Sequence, residues 1–361
     1  MKTPPLYKPL TAFVLFLSTL ALALLLIWQK DFSVVFLSAL LLVFVLSVFF
    51  GRYFSKVIVI STRTLMGLLF IFSGFVKAID PIGTQYQMQD YFTAYGMDWA
   101  QNLSLLAAFL MNCLEMVVGC LLLLNIRIKF TRWIAAAMML MFTCMTLYDA
   151  IYNSVPDCGC FGKAITMSNW QTFYKNVIID SWVVILLFGT KHLKEKLNWV
   201  KSFFVAGMFI VAILGFEFYN YSYLPVIDFL DWKKGTEITN DKLIPMFDAQ
   251  WNEVAEQVMS RDVYIAACYD LEHIRLDKKD ALLQLMDDAK AKNFDFIFLT
   301  DMKYLEDEVT AIEHLKNELG RDDVHILYSD DKSVKGLIRS NPGIIQVENK
   351  VIIDKKCWRQ L

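Results

Sequence analysis

The first histidine of this 361-residue chain is His192. Residues 1–191 therefore offer no imidazole to a haem iron or to a zinc site. Neither haem nor metal is expected there. Cys-x-x-Cys, the usual redox spacing, is also missing from the chain. Residues 222–361 carry no phosphate loop, no zincin helix and no basic nucleic-acid patch. One long segment, residues 80–102, contains neither lysine nor arginine. Charge is scarce altogether, at 20% of residues against 56% hydrophobic.

That scarcity is uneven. Residues 1–221 hold 16 Lys+Arg and 10 Asp+Glu, whereas residues 222–361 hold 19 and 27. A sparsely charged, basic first part followed by a densely charged, acidic second part reads as a membrane domain and then an aqueous one. Roughly 20 apolar residues cross a hydrocarbon core as a helix. Seven segments qualify or nearly so: 11–28, 33–50, 57–78, 104–124, 133–152, 172–190 and 202–219. The first is longer than a typical signal-peptide core and lacks a small-residue cleavage site, so it is read as a retained helix. Ser168-Asn-Trp-Gln171 is a capping box that starts the sixth.

With the N-terminus cytoplasmic, twelve basic residues face inward and only Lys30, Lys77, Lys163 and Lys175 face outward. The positive-inside rule selects that orientation. It places the loop after the fifth span outside, in an oxidising compartment, together with residues 222–361. In the outer segment 80–102, Met88, Tyr91, Phe92, Tyr95 and Trp99 fall on one helical face. That pattern predicts a short helix lying on the outer membrane surface.

The loop after the fifth span reads NSVPDCGCFGKA, residues 153–164. Cys158 and Cys160 are the closest of the seven cysteines. A bond between them needs a sharp turn, which Gly159 tolerates, and the small ring would be strained and easily reduced. The pair is either such an exchange site or a static staple. Phe161 and Gly162, with Pro156 and Asp157, shape the loop. Glu115 lies mid-span and Asp149 lies nine residues before Cys158. Each is either a proton relay or interhelical glue, and Asp180 is read as glue. Cys113, Cys120 and Cys144 are read as packing residues. A proton-coupled carrier built on Glu115 and Asp149 would show an inverted repeat, and none is visible.

Two stretches resemble a known family. TRTLMGLLFIFSGFVKAIDPIGT, residues 62–84, resembles the opening of the DoxX/MauE family of four-helix membrane proteins. LYDAIYNSVPDCGCFGKAITMSNWQTFYKN, residues 147–176, resembles the Cys-Gly-Cys-Phe-Gly region of MauE-type members. The family fold is similar to that of DsbB and vitamin K epoxide reductase, which pass electrons between thiols and a quinone. The resemblance implies disulfide chemistry at Cys158 and Cys160 on an exported partner, with quinone as electron sink, although those enzymes use more cysteines at their outer face.

Residues 239–361 alternate strands (VYIAAC, FIFLT, HILYS) with helices and close on a hairpin, IIQV and VIID. The order resembles the thioredoxin fold, with Pro342 at its cis-proline position. The stretch after the first strand, YDLEHIR, has no cysteine, which implies a redox-inactive module that binds a partner. The expectation is thus an α-helical membrane bundle of about seven transmembrane helices with a DoxX/MauE-like four-helix core, followed by an α/β thioredoxin-like domain. Its parts are an N-terminal hairpin (1–55), the bundle with an added last helix (56–221) and an extracytoplasmic domain (222–361). The setting is a bacterial inner membrane, with lipid and an exported protein as partners and no nucleic acid. A non-enzymatic anchor or assembly factor is the alternative.

Overall fold

The computed structural model describes residues 56–155, 159–190, 193–195, 197–303 and 308–361. The expected spans at 11–28 and 33–50, and Cys158 itself, lie outside the described residues. The chain divides into two compact units at the Glu217–Phe218 bond.

In the first unit, α1 spans Lys56–Ile79 and α2 spans Pro81–Ala94. A 3-10 turn, Asp98–Leu103, leads into α3, Ser104–Leu124. Helices α4 (Ile128–Tyr152), α5 (Asn169–Gly189) and α6 (Trp199–Ser222) follow. Five of the described helices are long and apolar enough to cross a membrane: α1, α3 with its leading turn, α4, α5 and α6. They coincide with the last five of the seven segments read from the sequence.

The breaks between helices have local causes. Asp80 caps α2, its Oδ1 accepting from the Gly83 amide at 2.8 Å, and Pro81 takes the first helical position, where no amide is needed. Asn125 ends α3 and Asn153 ends α4, both left-handed, a conformation asparagine tolerates. The capping box at Ser168 is present: Ser168 Oγ accepts from the Gln171 amide, and the Gln171 side chain accepts from the Ser168 amide.

Helices α1 and α3 pack closest. A Cβ added at Gly119 would lie 2.8 Å from the Gly67 carbonyl oxygen, and one at Gly67 would lie 2.9 Å from the Gly119 carbonyl oxygen. Small residues at such crossings let backbones approach in the absence of a hydrophobic drive from lipid. Behind this seam, Met66, Phe70 and Leu122 join Met139, Ile178 and Trp182 in one buried cluster. Asp180 of α5 accepts from Thr143 Oγ1 of α4 at 2.8 Å, an interhelical hydrogen bond. Helix α6 sets Ile213 against Cys113, Val117 and Leu121 of α3 but leaves Phe203, Phe204 and Val211 exposed, as a lipid-facing helix does.

The second unit is a mixed sheet with helices. After α7 (Ala255–Met259) come β1 (Val263–Cys268), α8 (Lys279–Ala291), β2 (Asp295–Asp301), α9 (Glu308–Leu319) and β3 (His325–Ser329). Then follow α10 (Asp331–Leu337), β4 (Gly343–Glu348), β5 (Val351–Cys357) and a closing 3-10 turn. The order is β3-β2-β1-β4-β5; β1, β2 and β3 run parallel, while β4 opposes β1 and β5 opposes β4. All six residues of β1 are buried. Val263, Ile265 and Ala267 enter the core on one face, and Tyr264, Ala266 and Cys268 enter the core on the other. Both outer strands are covered. Phe247 pairs with Tyr328 of β3, and Gly235, Thr236 and Ile238 bond to Lys350 and Ile352 at β5. Covered edges do not template pairing with another chain.

Because the α1–α3 seam is backbone against backbone, Gly119→Val is expected to cost about 1–3 kcal/mol, the usual cost of overpacking. A lowered unfolding midpoint in detergent would show it. An unchanged midpoint would mean that the helices part without cost.

Candidate functional site

A cavity of about 470 Å³ opens within the first unit, bounded by α1, α2, α3, α4, α5 and the cysteine loop. Its wall is largely apolar, with six methionines: Met88, Met97, Met111, Met139, Met141 and Met145. Methionine is flexible and polarisable, and it lines sites that adapt to their ligand. Cavities of this size are ordinary for small molecules, at about 300–1,000 Å³.

Cys160 is on the wall, and so is Gly159. The loop turns through the Gly162 amide, which donates to the Gly159 carbonyl at 2.9 Å. Both glycines are left-handed, at φ +53° and +54°. Ser73 Oγ of α1 donates to the Cys160 carbonyl at 2.6 Å, which fixes the loop to the bundle. Phe161 is buried and its ring lies 5.7 Å from that of Phe72. Gln87 of α2 sits directly over Gly159, where a Cβ would come within 1.9 Å of its Oε1.

Two lysines counted as outer charges in the sequence are inside the bundle. Lys77 is 7% exposed and donates to Glu115 Oε2 in a buried ion pair between α1 and α3. Lys175 of α5 is 4% exposed, and its Nζ lies 4.8 Å from the centroid of the Phe161 ring, a cation–π contact. Lys77, Glu115 and Lys175 all face the cavity. The capping box at Ser168 was the legible signal for Lys175: it starts the helix seven residues earlier, so the lysine belongs to the helix and not to the loop.

Asp149 is fully buried at the end of α4. Tyr95 donates its hydroxyl to Asp149 Oδ1 at 3.3 Å, and the Tyr95 phenol is held well above its ordinary range, first by burial and then by the Asp149 charge. The Asp149 carbonyl accepts from the amide of Asn153 and from Asn169 Nδ2, and Asn169 Nδ2 also donates to the Val155 carbonyl at 2.9 Å. Asp149 thus stands beside the segment that leads into the cysteine loop.

The expected surface helix is α2, but its Met88, Tyr91 and Phe92 face inward and roof the cavity, with Tyr95 at its C-cap also on the wall. Trp99 lies beyond the Gly96 break, in the 3-10 turn, and is 77% exposed. The apolar face that a lipid surface would take is used by the cavity. Sequence reading missed Glu217, fully buried in α6 beside Asn112. It is a lone carboxylate in an aromatic run, and only the packing of α6 on α3 reveals its neighbour.

Residues 55–191 match the family model described as methylamine utilisation protein MauE. Those 137 of the 361 residues resemble the MauE family. No curated protein and no solved structure matches the chain. The matched MauE region runs from just before α1 to just beyond α5, so it contains the whole cavity, the Cys-Gly-Cys loop and both buried lysines. The last helix and the mixed-sheet unit fall outside it.

In that second unit the cysteines are enclosed. Cys268 is fully buried in β1, its thiol donates to the Ala266 carbonyl, and burial pushes that thiol far up from its ordinary range. Cys357 is buried in β5. Asn341, before the cis bond to Pro342, donates through Nδ2 to the Asp270 and His273 carbonyls and pins the loop between β1 and α8.

Two outcomes are expected. Glu115→Gln leaves the Lys77 ammonium buried without its carboxylate and should cost about 3–5 kcal/mol, whereas joint replacement of Lys77 and Glu115 by Met and Leu should be nearly neutral. Unfolding midpoints of the two variants test this. Gly159→Ala drives a methyl into Gln87 at a left-handed position and should quicken alkylation of Cys160 in the folded protein. An unaltered alkylation rate would show that Gln87 does not hold the loop.

Proposed function

We propose that the protein is a thiol–disulfide exchanger of a bacterial inner membrane, with its N-terminus cytoplasmic and its mixed-sheet domain in the periplasm. Cys158 and Cys160 would exchange disulfides with an exported protein, and a quinone in the cavity would accept the electrons. The observation that carries this reading is the place of Cys160 on the wall of an apolar cavity that also holds buried ammonium groups.

The residues present fit a quinone. The wall is apolar and adaptable, and Lys77 and Lys175 supply hydrogen-bond donors suited to carbonyl oxygens. A quinone held there would supply an acceptor for two electrons and two protons. Closing the Cys158–Cys160 bond releases that number of each, so the exchange balances without another reactant. The chain's own part is to hold Cys160 at the wall through Ser73, to keep water out with α2, and to place cationic groups where negative charge grows. Asp149 and Glu115 are the carboxylates at hand to carry protons.

The mixed sheet supports a second reading, an anchor or assembly factor whose thioredoxin-like domain binds a partner. A mixed sheet ending in an antiparallel hairpin and a cis-proline before β4 support that reading, and its two cysteines are enclosed. Binding without thiol chemistry suits it.

Trapping in intact cells separates the readings. Cys158→Ser or Cys160→Ser should accumulate a mixed disulfide with an exported protein. If neither remaining thiol reacts and the double Ser variant works fully, exchange is ruled out. A partner that still co-purifies without both cysteines would favour the anchor.

A further inference from the structure

Four buried polar atoms of the membrane unit make no hydrogen bond among the described residues: Oε1 and Oε2 of Glu217, and Oδ1 and Nδ2 of Asn112. Both side chains are fully buried, and the Glu217 carboxyl lies beside the Asn112 carboxamide. Asn112 belongs to α3 and falls inside the matched MauE region, whereas Glu217 belongs to α6 and lies beyond it. One turn before Glu217, Ile213 packs with Cys113 and Val117 of α3.

A carboxylate at this spot has no counter-charge. From α3 it is faced by Asn112 and the Cys113 thiol, and the one ionised side chain of that helix, Glu115, is joined to Lys77 of α1. Phe75 of α1 stacks on Phe216 at 5.6 Å between ring centroids. Arg63 lies twelve residues before Phe75, about 18 Å along that helix. Lys201, the one cation of α6, lies sixteen residues before Glu217, about 24 Å along its own helix. An unpaired charge in hydrocarbon is costly, and so is a buried donor or acceptor without a partner. One proton removes both costs. An ionised carboxyl only accepts, which leaves Asn112 Oδ1 with no donor. The neutral acid has one O–H donor and one carbonyl acceptor, and the carboxamide offers the complementary acceptor and donor.

We propose that Glu217 and Asn112 form a proton-binding site inside the membrane, an uncharged acid–amide pair. The Glu217 O–H donates to Asn112 Oδ1, and Asn112 Nδ2 donates to the Glu217 carbonyl oxygen. These two hydrogen bonds satisfy both groups and fasten α6 to α3. The ligand is a proton and not a hard metal cation. Such a cation takes about six oxygens or more, and Cys113, Val117 and Ile213 add none from their side chains. The site is separate from thiol exchange and does not depend on it.

The test is infrared spectroscopy of the full chain in lipid nanodiscs at neutral pH. Subtracting the Glu217→Gln spectrum from that of the parent should leave the carbonyl stretch of a protonated carboxyl group. Loss of carboxylate stretches instead overturns the proposal. Asn112→Leu should keep the acid band but move it to higher frequency, because the carbonyl loses a hydrogen bond. An acid band that stays in place overturns the pairing. Glu217→Gln presents the same donor and acceptor as the neutral acid, so this variant should unfold at the parent's midpoint. Glu217→Leu strands Asn112 and should unfold at a lower one, and the reverse order overturns the pairing as well. Were Glu217→Gln not to fold, the difference between the parent and Asn112→Leu decides: a shifted acid band supports the site and a shifted carboxylate band overturns it.

Discussion

The strictest constraint on the membrane unit is that the buried charges Lys77 and Glu115, on facing helices, must meet each other. Neither group tolerates a hydrocarbon interior alone, and each is more than nine-tenths buried. Pairing fixes the rotation of α1 against α3, because only one face of each helix can meet the other. That face also carries Gly67, Gly74 and Gly119, which bring the backbones into contact. Close approach along the glycines and charge pairing one turn away act on the same seam. With α1 held there, Ser73 reaches the Cys160 carbonyl and the cysteine loop closes over the bundle.

Much of this was legible in the sequence, and the illegible part has a common cause. Apolar runs marked α1, α3, α4, α5 and α6, and the capping box marked the start of α5. The strands and hairpin of the second unit followed from short β-branched runs bounded by turn residues. What periodicity could not give was the environment of a charge. Lys77 and Lys175 sit near the ends of apolar segments, where a lysine ordinarily snorkels to the interface. Only the partners across the bundle, Glu115 and the Phe161 ring, show that they turn inward. The same holds for the apolar face of α2. A helix that is apolar on one side fits a lipid surface or a cavity roof equally well by pattern.

The two units use burial of cysteine in opposite ways. In the mixed sheet, Cys268 is surrounded on both sides of a central strand, with its thiol bonded to a backbone carbonyl two residues away. Such a sulfur is a small apolar group that fills space. In the bundle, Cys160 has a cavity on one side and a backbone anchor at its own carbonyl. The anchor takes the main chain and leaves the side chain's placement to the turn between Gly159 and Gly162.

That division of labour bears on how the loop could move. Ser73 holds the backbone of Cys160, Phe161 packs on Phe72, and Asn169 ties Val155 to the start of α5. The segment is therefore fixed on both sides of residues 156–158. The roof is held differently. Gln87 covers Gly159 through a flexible side chain, and α2 ends at Gly96 in a left-handed break. The backbone anchor of Cys160 thus lies on α1 and the cover over Gly159 lies on α2, so floor and roof are supplied by different helices.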